Sequence, residues 1–166
     1  MIRYLVPHTA PLLHVESKKF KFEEPPFDPI EFAADLAETM LYHGGVGLAA
    51  PQIGVGYCAI AIKSDPIMVM YNPRIVDSSS ETTLMDEACL TYPGLVVKID
   101  RSRLIKIRYF QPNGEVKTEV FTDITARVIQ HEIDHLAGVT LLDRATGLRK
   151  QFAEKRWAKI AKRMAA

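Results

Sequence analysis

Thiols are scarce in this chain, because Cys58 and Cys89 are the only cysteines in 166 residues. A disulfide-rich secreted scaffold is therefore excluded; one disulfide would be feasible, but we expect both thiols to stay reduced. The first eight residues have no continuous apolar core and no small-residue cleavage site, so we expect a cytoplasmic protein without a secretory signal. Charge or proline interrupts every apolar run well short of a membrane span.

The chain also lacks a large net charge, sequence repeats and linkers, and these absences limit the possible fold classes and partners. The formal net charge of +1 excludes a protein organised as a whole around nucleic acid, although charge can still cluster locally. The chain contains no internal repeat, no low-complexity tract and no linker. With 48% hydrophobic residues it can bury a substantial core. We predict a single catalytic domain over residues 1–166.

Helix signals occur at three places. Asp28-Pro29-Ile30-Glu31 combines an N-cap aspartate with proline at the first helical position, and Gly44-Gly45 ends the helix that this start predicts. Asp123 can cap a second helix, Ile124 to Ala137, that stops at Gly138. A third helix, Leu148 to Met164, lies in a basic amphipathic segment of residues 147–166.

Strand signals fill the region between the first two helices. Five runs are rich in β-branched and aromatic residues and are separated by turn residues: Tyr57–Ile62, Ile67–Tyr71, Leu95–Ile99, Leu104–Phe110 and Val116–Phe121. Gln111-Pro112-Asn113-Gly114 predicts a hairpin between the last two. The pattern predicts an α+β fold, in which antiparallel or mixed sheets wrap around the central helix and helices lie near both chain ends.

The motif with the clearest chemistry is Gln130-His131-Glu132-Ile133-Asp134-His135. Two imidazoles four residues apart project from one helix face, so both can bind the same cation. A glutamate beside the first histidine can take a proton from water at such a metal. H-E-x-x-H is typical of zincin-like hydrolases. The competing interpretation is a helix with partly exposed histidines and a solvated acidic face.

A catalytic metal needs a third protein ligand. We favour Cys89, which lies in the irregular, turn-rich segment from Asp86 to Gly94, over a purely structural cysteine in the core. Cys58 sits in an apolar strand pattern and is expected to serve packing. Three other histidines are possible ligands but are more typical of structural positions: His8, His14 and His43.

A third segment, Gly45-Val46-Gly47-Leu48-Ala49-Ala50-Pro51-Gln52-Ile53-Gly54, combines glycines with one polar side chain. Its small residues let a backbone approach a ligand closely, and the Gln52 amide can donate a hydrogen bond. The segment lacks the lysine and hydroxyl residue of a phosphate loop. A tight helix-to-strand connection would fit the glycines equally well.

Taken together, Gly45–Gln52, Glu87-Ala88-Cys89-Leu90-Thr91 and Gln130–His135 resemble, in order and spacing, the three motifs of the peptide deformylases. The similarity covers about residues 40 to 145. Ala88 and Thr91 depart from the glycine and serine that are usual in this family. The resemblance implies hydrolysis of the formyl group from the N-terminal formyl-methionine of new polypeptides, with release of formate.

The resemblance also implies residue roles. Cys89, His131 and His135 would hold the metal, and Glu132 would accept the proton of water. The Gln52 amide and the Leu90 backbone N–H would meet the charge on the formyl oxygen. Glu87 and Arg101 would form an ion pair beneath the site, and an ordinary surface pair is the competing interpretation of these two residues. Three residues would contact the methionine and the extended peptide: Val46, Gly47 and Val128. The expected cofactor is one Fe²⁺ per chain, with Zn²⁺, Ni²⁺ or Co²⁺ as substitutes.

The basic C-terminal segment, residues 147–166, is a candidate for contact with a partner. In the C-terminal segment Leu148, Phe152, Ile160 and Met164 recur at helical spacing among seven basic residues. An ordinary packed helix explains this pattern, and contact with ribosomal RNA near the exit tunnel is the functional alternative. We expect a monomer that acts on formyl-methionyl nascent peptides without membrane contact. The rivals are a metallopeptidase that cleaves internal bonds and a silent binding protein with a structural zinc.

Overall fold

A computed structural model describes residues 1–166. In chain order its elements are α1 Pro29–Tyr42, β1 Gly47–Ala49, β2 Ala59–Ile62, β3 Met68–Ser78, β4 Thr82–Ala88, β5 Val96–Ser102, β6 Leu104–Phe110, β7 Val116–Thr122, α2 Asp123–Leu136, α3 Leu141–Arg144 and α4 Gly147–Met164. Short 3₁₀ turns lie at Pro11–His14 and Ala50–Ile53. No helix in the chain has the length and apolar character that crossing a membrane requires.

The strands form two antiparallel sheets. Five strands pair in the order β1-β2-β3-β6-β7, and β4 pairs with β5 in a separate two-stranded sheet. The β6–β7 register matches Phe110 with Val116 across the predicted hairpin turn. The predicted α+β class is confirmed, and all named strand pairs are antiparallel rather than mixed.

Helix α1 begins where the sequence pattern predicts. The Asp28 carboxylate accepts hydrogen bonds from the backbone N–H groups of Ile30 and Glu31 at 2.8 and 2.9 Å. These bonds satisfy donors that have no partner within the helix. Gly44, with φ of +69°, follows its end. Phe32, Leu36 and Met40 bury their side chains against the sheet.

Helix α2 packs along the inner face of the five-stranded sheet. Its Ala126, Ile129 and Leu136 join a buried cluster with Ile60 and Ile107 of the sheet. Burying one side chain of the size of Ile129 or Leu136 stabilises a fold by about 1.5–3 kcal/mol. Because α2 is held in this way by its apolar face, its polar side chains reach the other elements: Arg127 contacts β4, Gln130 contacts β5 and Glu132 lies beside Gly47 of β1.

Helix α4 packs on β5 through a different face from the expected one. Leu148, Phe152 and Met164 are exposed, whereas Ala153 and Trp157 are buried. The Trp157 ring meets the Tyr92 ring edge-on, with centroids 5.0 Å apart. Of the predicted stripe, Ile160 packs against the buried cluster, and the packing surface is formed by Ala153 and Trp157 together with Ile160 and Ala161.

Candidate metal centre

Three possible metal ligands meet between α2 and the end of β4. Cys89 directly follows β4, and His131 and His135 lie one turn apart on α2. Their ligand atoms lie within 4.8 Å of one another, and all three residues are buried. Cys89 Sγ and His135 Nε2 are 3.2 Å apart. The structure thus brings together the three residues that the sequence predicts as metal ligands.

The remaining histidines and the second cysteine lie elsewhere. His14 Nε2 is 3.0 Å from the His8 carbonyl oxygen, and His43 Nε2 is 3.2 Å from that of Arg3. The Cys58 thiol donates to the Ser17 carbonyl at 3.4 Å. None of these residues belongs to the metal-binding group.

The proton affinities of the group are strongly coupled. Burial alone would raise the pKa of the Cys89 thiol, but hydrogen bonds from His131 and His135 hold it well below its usual value. Burial would likewise lower the pKa of His131, whereas the Cys89 sulfur and the Glu87 carboxylate raise it well above the ordinary range. The pocket therefore favours a thiolate, which is the form of cysteine that binds metals.

Glu87 orients the imidazole ring of His131 through a hydrogen bond. His131 Nδ1 lies 3.0 Å from Glu87 Oε1, so a proton on Nδ1 leaves Nε2 free to face a cation. Arg101 donates to the same carboxylate from Nε and Nη2 at 2.8 and 2.9 Å. Burial opposes ionisation of Glu87, but Arg101 and His131 lower its pKa well below the usual range.

The ion pair beneath the site is larger than the sequence indicated. Arg127 also donates to Glu87, at 2.6 Å, and Arg101 donates to Asp134 at 2.6 Å. Arg144 donates from Nε to Asp134 at 3.0 Å. Sequence reasoning missed three members of this network. Spacing on α2 was the available signal, because Arg127 precedes His131 by four residues and shares its helix face.

Glu132 lies in the same pocket without a fixed partner. Glu132 is 4% exposed, and its Oε2 atom is buried and has no hydrogen-bond partner. Burial is the largest cause that raises the pKa of this carboxyl, to about 7, against the opposing charges of His131 and His135. A carboxyl with a pKa near neutrality can both accept and donate a proton at physiological pH.

The Glu132 side chain lies so close to the backbone at position 47 that a glycine is required there. A Cβ at this position would lie 2.4 Å from Glu132 Oε1 and 2.7 Å from Val128 Cγ1. Only a residue without a side chain fits there unless the carboxylate moves.

Gln52 and Leu90 line the same cleft as Cys89. Gln52 lies in the 3₁₀ turn after β1, and its Nε2 atom is 3.7 Å from Cys89 Sγ. Leu90 follows Cys89, and its backbone N–H donates to no other backbone carbonyl. Gln52 Nε2 is therefore close to the sulfur of Cys89, and Leu90 is adjacent to Cys89 in the chain.

These groups line one cleft of about 460 Å³. Small-molecule sites usually occupy clefts of this size. Val46, Gly47 and Val128 line it together with Gln52, Leu90 and Glu132. The lining residues that sequence reasoning did not anticipate include residues of strand β4, the turn after Cys89 and helix α2: Met85, Pro93, Ile124 and Arg127.

The donor set fits a divalent transition metal. One sulfur and two imidazole nitrogens suit zinc or ferrous iron, and a set of three leaves room for a further ligand. The unpaired Glu132 Oε2 beside this group is a proton acceptor without a protein donor. This is the composition of a catalytic rather than a closed structural site.

Comparisons with known proteins agree with this geometry. The family model for polypeptide deformylase matches residues 2–151. A peptide deformylase of Thermotoga neapolitana is 40% identical over 129 residues, covering 76% of this chain and 78% of the relative. The crystal structure of the Thermotoga maritima peptide deformylase is 32% identical, covers 89% of this chain and 99% of its own, and superposes with a TM-score of 0.83. A class I type b peptide deformylase of Acinetobacter baumannii with bound Met-Ala-Ser is 29% identical, with a TM-score of 0.80 over 87% of this chain and 99% of its own.

Proposed function

Because this chain belongs to the polypeptide deformylase family, it hydrolyses the formyl group from the N-terminal formyl-methionine of newly synthesised polypeptides, and we propose that Cys89, His131 and His135 are its metal ligands. The observation that carries the proposal is the convergence of these three buried donors within 4.8 Å of one another. Residues from a loop and from a helix more than 40 positions later meet only in the folded chain.

The metal itself is part of the proposal. When bound, the cation supplies Lewis acidity that activates water at neutral pH and polarises a carbonyl oxygen. We assign Fe²⁺, one per chain, on the resemblance to the peptide deformylases, with Zn²⁺, Ni²⁺ or Co²⁺ as substitutes, since a thiolate with two imidazoles suits each of these ions. Glu87 supports the assignment by fixing the orientation of the His131 ring.

Glu132 moves the proton. Its buried Oε2 atom accepts a proton from the attacking water and later delivers it to the departing amine. The C–N bond of the formamide breaks, the formyl carbon gains the water oxygen, and the products are formate and a free amino terminus. The raised pKa of Glu132 suits a group that must perform both transfers.

Gln52 and Leu90 stabilise the charge that develops on the formyl oxygen. Gln52 Nε2 lies 3.7 Å from Cys89 Sγ, and Leu90, the residue after Cys89, lines the same cleft with a backbone N–H that no backbone carbonyl accepts. Each donor of this kind contributes about 3 kcal/mol to the transition state.

The cleft receives the methionine side chain. Val46 and Val128 present apolar surface, and the Gly47 backbone lies beside them for pairing with an extended peptide. The Met-Ala-Ser bound to the Acinetobacter baumannii relative supports a peptide of this kind as the occupant.

We further propose that the enzyme works as a cytoplasmic monomer beside the ribosome. Helix α4 carries seven basic residues against the single acid Glu154, and most of them are exposed. Such a helix would bind phosphates of ribosomal RNA near the exit tunnel.

Formate release tests the function. Formyl-Met-Ala-Ser should yield formate and Met-Ala-Ser, whereas an unformylated protein should remain uncut. Glu132→Ala should keep its metal and lose turnover by at least about 100-fold. Cleavage of internal peptide bonds, or near-normal turnover of Glu132→Ala, would refute the assignment.

A further inference from the structure

The Gln52 amide is fixed at its oxygen end. Oε1 accepts a hydrogen bond from the backbone N–H of Ala49 at 2.8 Å, and the residue is 3% exposed. A backbone N–H can only donate, so the oxygen and not the nitrogen of the amide must lie there. Nε2 therefore points toward Cys89.

Thr91 lies on the nitrogen side of the same amide. Gln52 Nε2 donates to Thr91 Oγ1 at 3.2 Å, and its other contact is the longer one to Cys89 Sγ at 3.7 Å. An amide nitrogen carries two protons in the plane of the group. When the threonine oxygen accepts one proton, the second is directed toward the sulfur and the cleft.

Thr91 is itself well held. The residue is 7% exposed and lies in a tight turn, in which the Tyr92 N–H donates to the Cys89 carbonyl at 3.0 Å. A β-branched side chain also has fewer χ1 rotamers than serine. Threonine at this position therefore presents its oxygen to Gln52 in one orientation.

We propose that Thr91 is a positioning residue for the reaction: its Oγ1 accepts one Gln52 amide proton and thereby aims the other at the oxygen of the scissile formyl group. The proposal rests on the role of Gln52 proposed above. Neither Ala49 nor Thr91 lines the cleft. Together they hold the amide from both ends.

Thr91→Val tests the proposal, because it removes the acceptor and nearly preserves the shape. We expect kcat to fall about 10-fold, as for loss of one buried neutral hydrogen bond, while KM stays within about twofold. Thr91→Ser keeps the acceptor and should recover kcat to within about threefold of the parent. Metal content should match the parent in both variants, and both should remain folded at the assay temperature. Unchanged kcat in Thr91→Val would overturn the inference.

A double-mutant cycle with Gln52→Leu separates positioning from general damage. In the Gln52→Leu background, Thr91→Val should cause no further loss, because the amide that it positions is gone. An equal loss in both backgrounds would show a structural role and overturn the inference. If Gln52→Leu itself keeps normal kcat, the proposed role of Gln52 fails and this inference fails with it.

An amide spectrum provides a readout that does not depend on turnover. In the zinc-loaded, nitrogen-15-labelled protein, the Gln52 side-chain signals are identified by their loss in Gln52→Leu. One of the two proton resonances should shift in Thr91→Val and return toward the parent position in Thr91→Ser. Identical Gln52 signals in the parent and Thr91→Val would contradict the hydrogen bond.

Discussion

Gly47 and Glu132 are in such close contact that a Cβ on the glycine would lie 2.4 Å from the glutamate Oε1 atom. The glycine belongs to β1 and the glutamate to α2, so the contact joins the edge of the sheet to the helix that carries the metal-binding histidines. The lack of a side chain at one residue thereby sets the position of the proton carrier at the other.

Gly47→Ala should impair turnover more than stability. The new methyl group meets the end of the flexible Glu132 side chain, which can move aside, and the Val128 methyl group. We expect kcat to fall about 100-fold, as for a displaced general base, with the fold retained. Steady-state kinetics and thermal unfolding check this prediction.

Gly56→Ala is the matched control, because its Cβ would meet only the Leu12 Cδ1 atom at 3.0 Å. Its kcat should equal that of the parent. A Gly47→Ala enzyme with parental kcat would show that Glu132 does not need its present position.

Arg101→Met should destabilise the protein strongly. Arg101 is buried and pairs with both Glu87 and Asp134, so its loss leaves two buried carboxylates with fewer cations. Removing one partner from a buried ion pair costs about 3–5 kcal/mol. Urea unfolding of metal-loaded protein measures this change.

Arg103→Met offers the comparison two residues away. Arg103 also pairs with two carboxylates, Glu81 and Asp123, but these groups are exposed. Its unfolding midpoint should stay close to that of the parent. Equal destabilisation by the two substitutions would contradict the importance of burial.

Cys58 should react slowly with alkylating reagents. Burial, with the Glu16 charge as a smaller cause, raises the pKa of this thiol to about 11. The thiolate is the reactive form, so its fraction is small at pH 8 and rises as the pH approaches the pKa. Peptide mapping after iodoacetamide treatment should show the Cys58 rate increasing with pH between 8 and 10. A rate already at its plateau at pH 8 would contradict the raised pKa.

Ribosome binding should depend on salt and on helix α4. Lys155, Lys159 and Lys162 share one face of this helix, and all three are exposed. Converting them to glutamate should weaken sedimentation with ribosomes, and affinity for the parent should fall as salt rises. The exposed Lys19 and Lys21, converted in the same way, should leave binding intact. Salt-independent binding of the parent, or none, would remove this hypothesis.

Local patterns predicted much of the fold. The Asp28 cap, the Gln111–Gly114 hairpin and the helix with the histidine pair are set by neighbours in sequence, and each is present. Strand β4 was missed, because Thr82–Ala88 exposes polar and apolar residues alike and has a single paired neighbour. Strand β3 continues through Pro73 with two irregularities in its register, which a search for regular alternation ends too early.

The candidate site also contains some features that local sequence predicts and others that only the folded chain shows. The spacing of His131 and His135 on one helix is readable from sequence. The hydrogen bonds of Arg127 to Glu87 and of Arg101 to Asp134 join segments 40 and 33 positions apart, so they depend on the folded chain. Local sequence and motif resemblance located Gln52 and Cys89, but they did not reveal that Thr91 accepts a hydrogen bond from the Gln52 amide.

X-ray absorption spectroscopy of anaerobically purified protein tests the central claim most directly, since it reads the atoms around the metal without reference to activity. Three ligands from Cys89, His131 and His135 predict one sulfur and two imidazole nitrogens per metal ion, and Cys89→Ser should lose the sulfur signal. A metal without a sulfur neighbour in the parent protein, or a sulfur signal that survives in Cys89→Ser, would contradict the account.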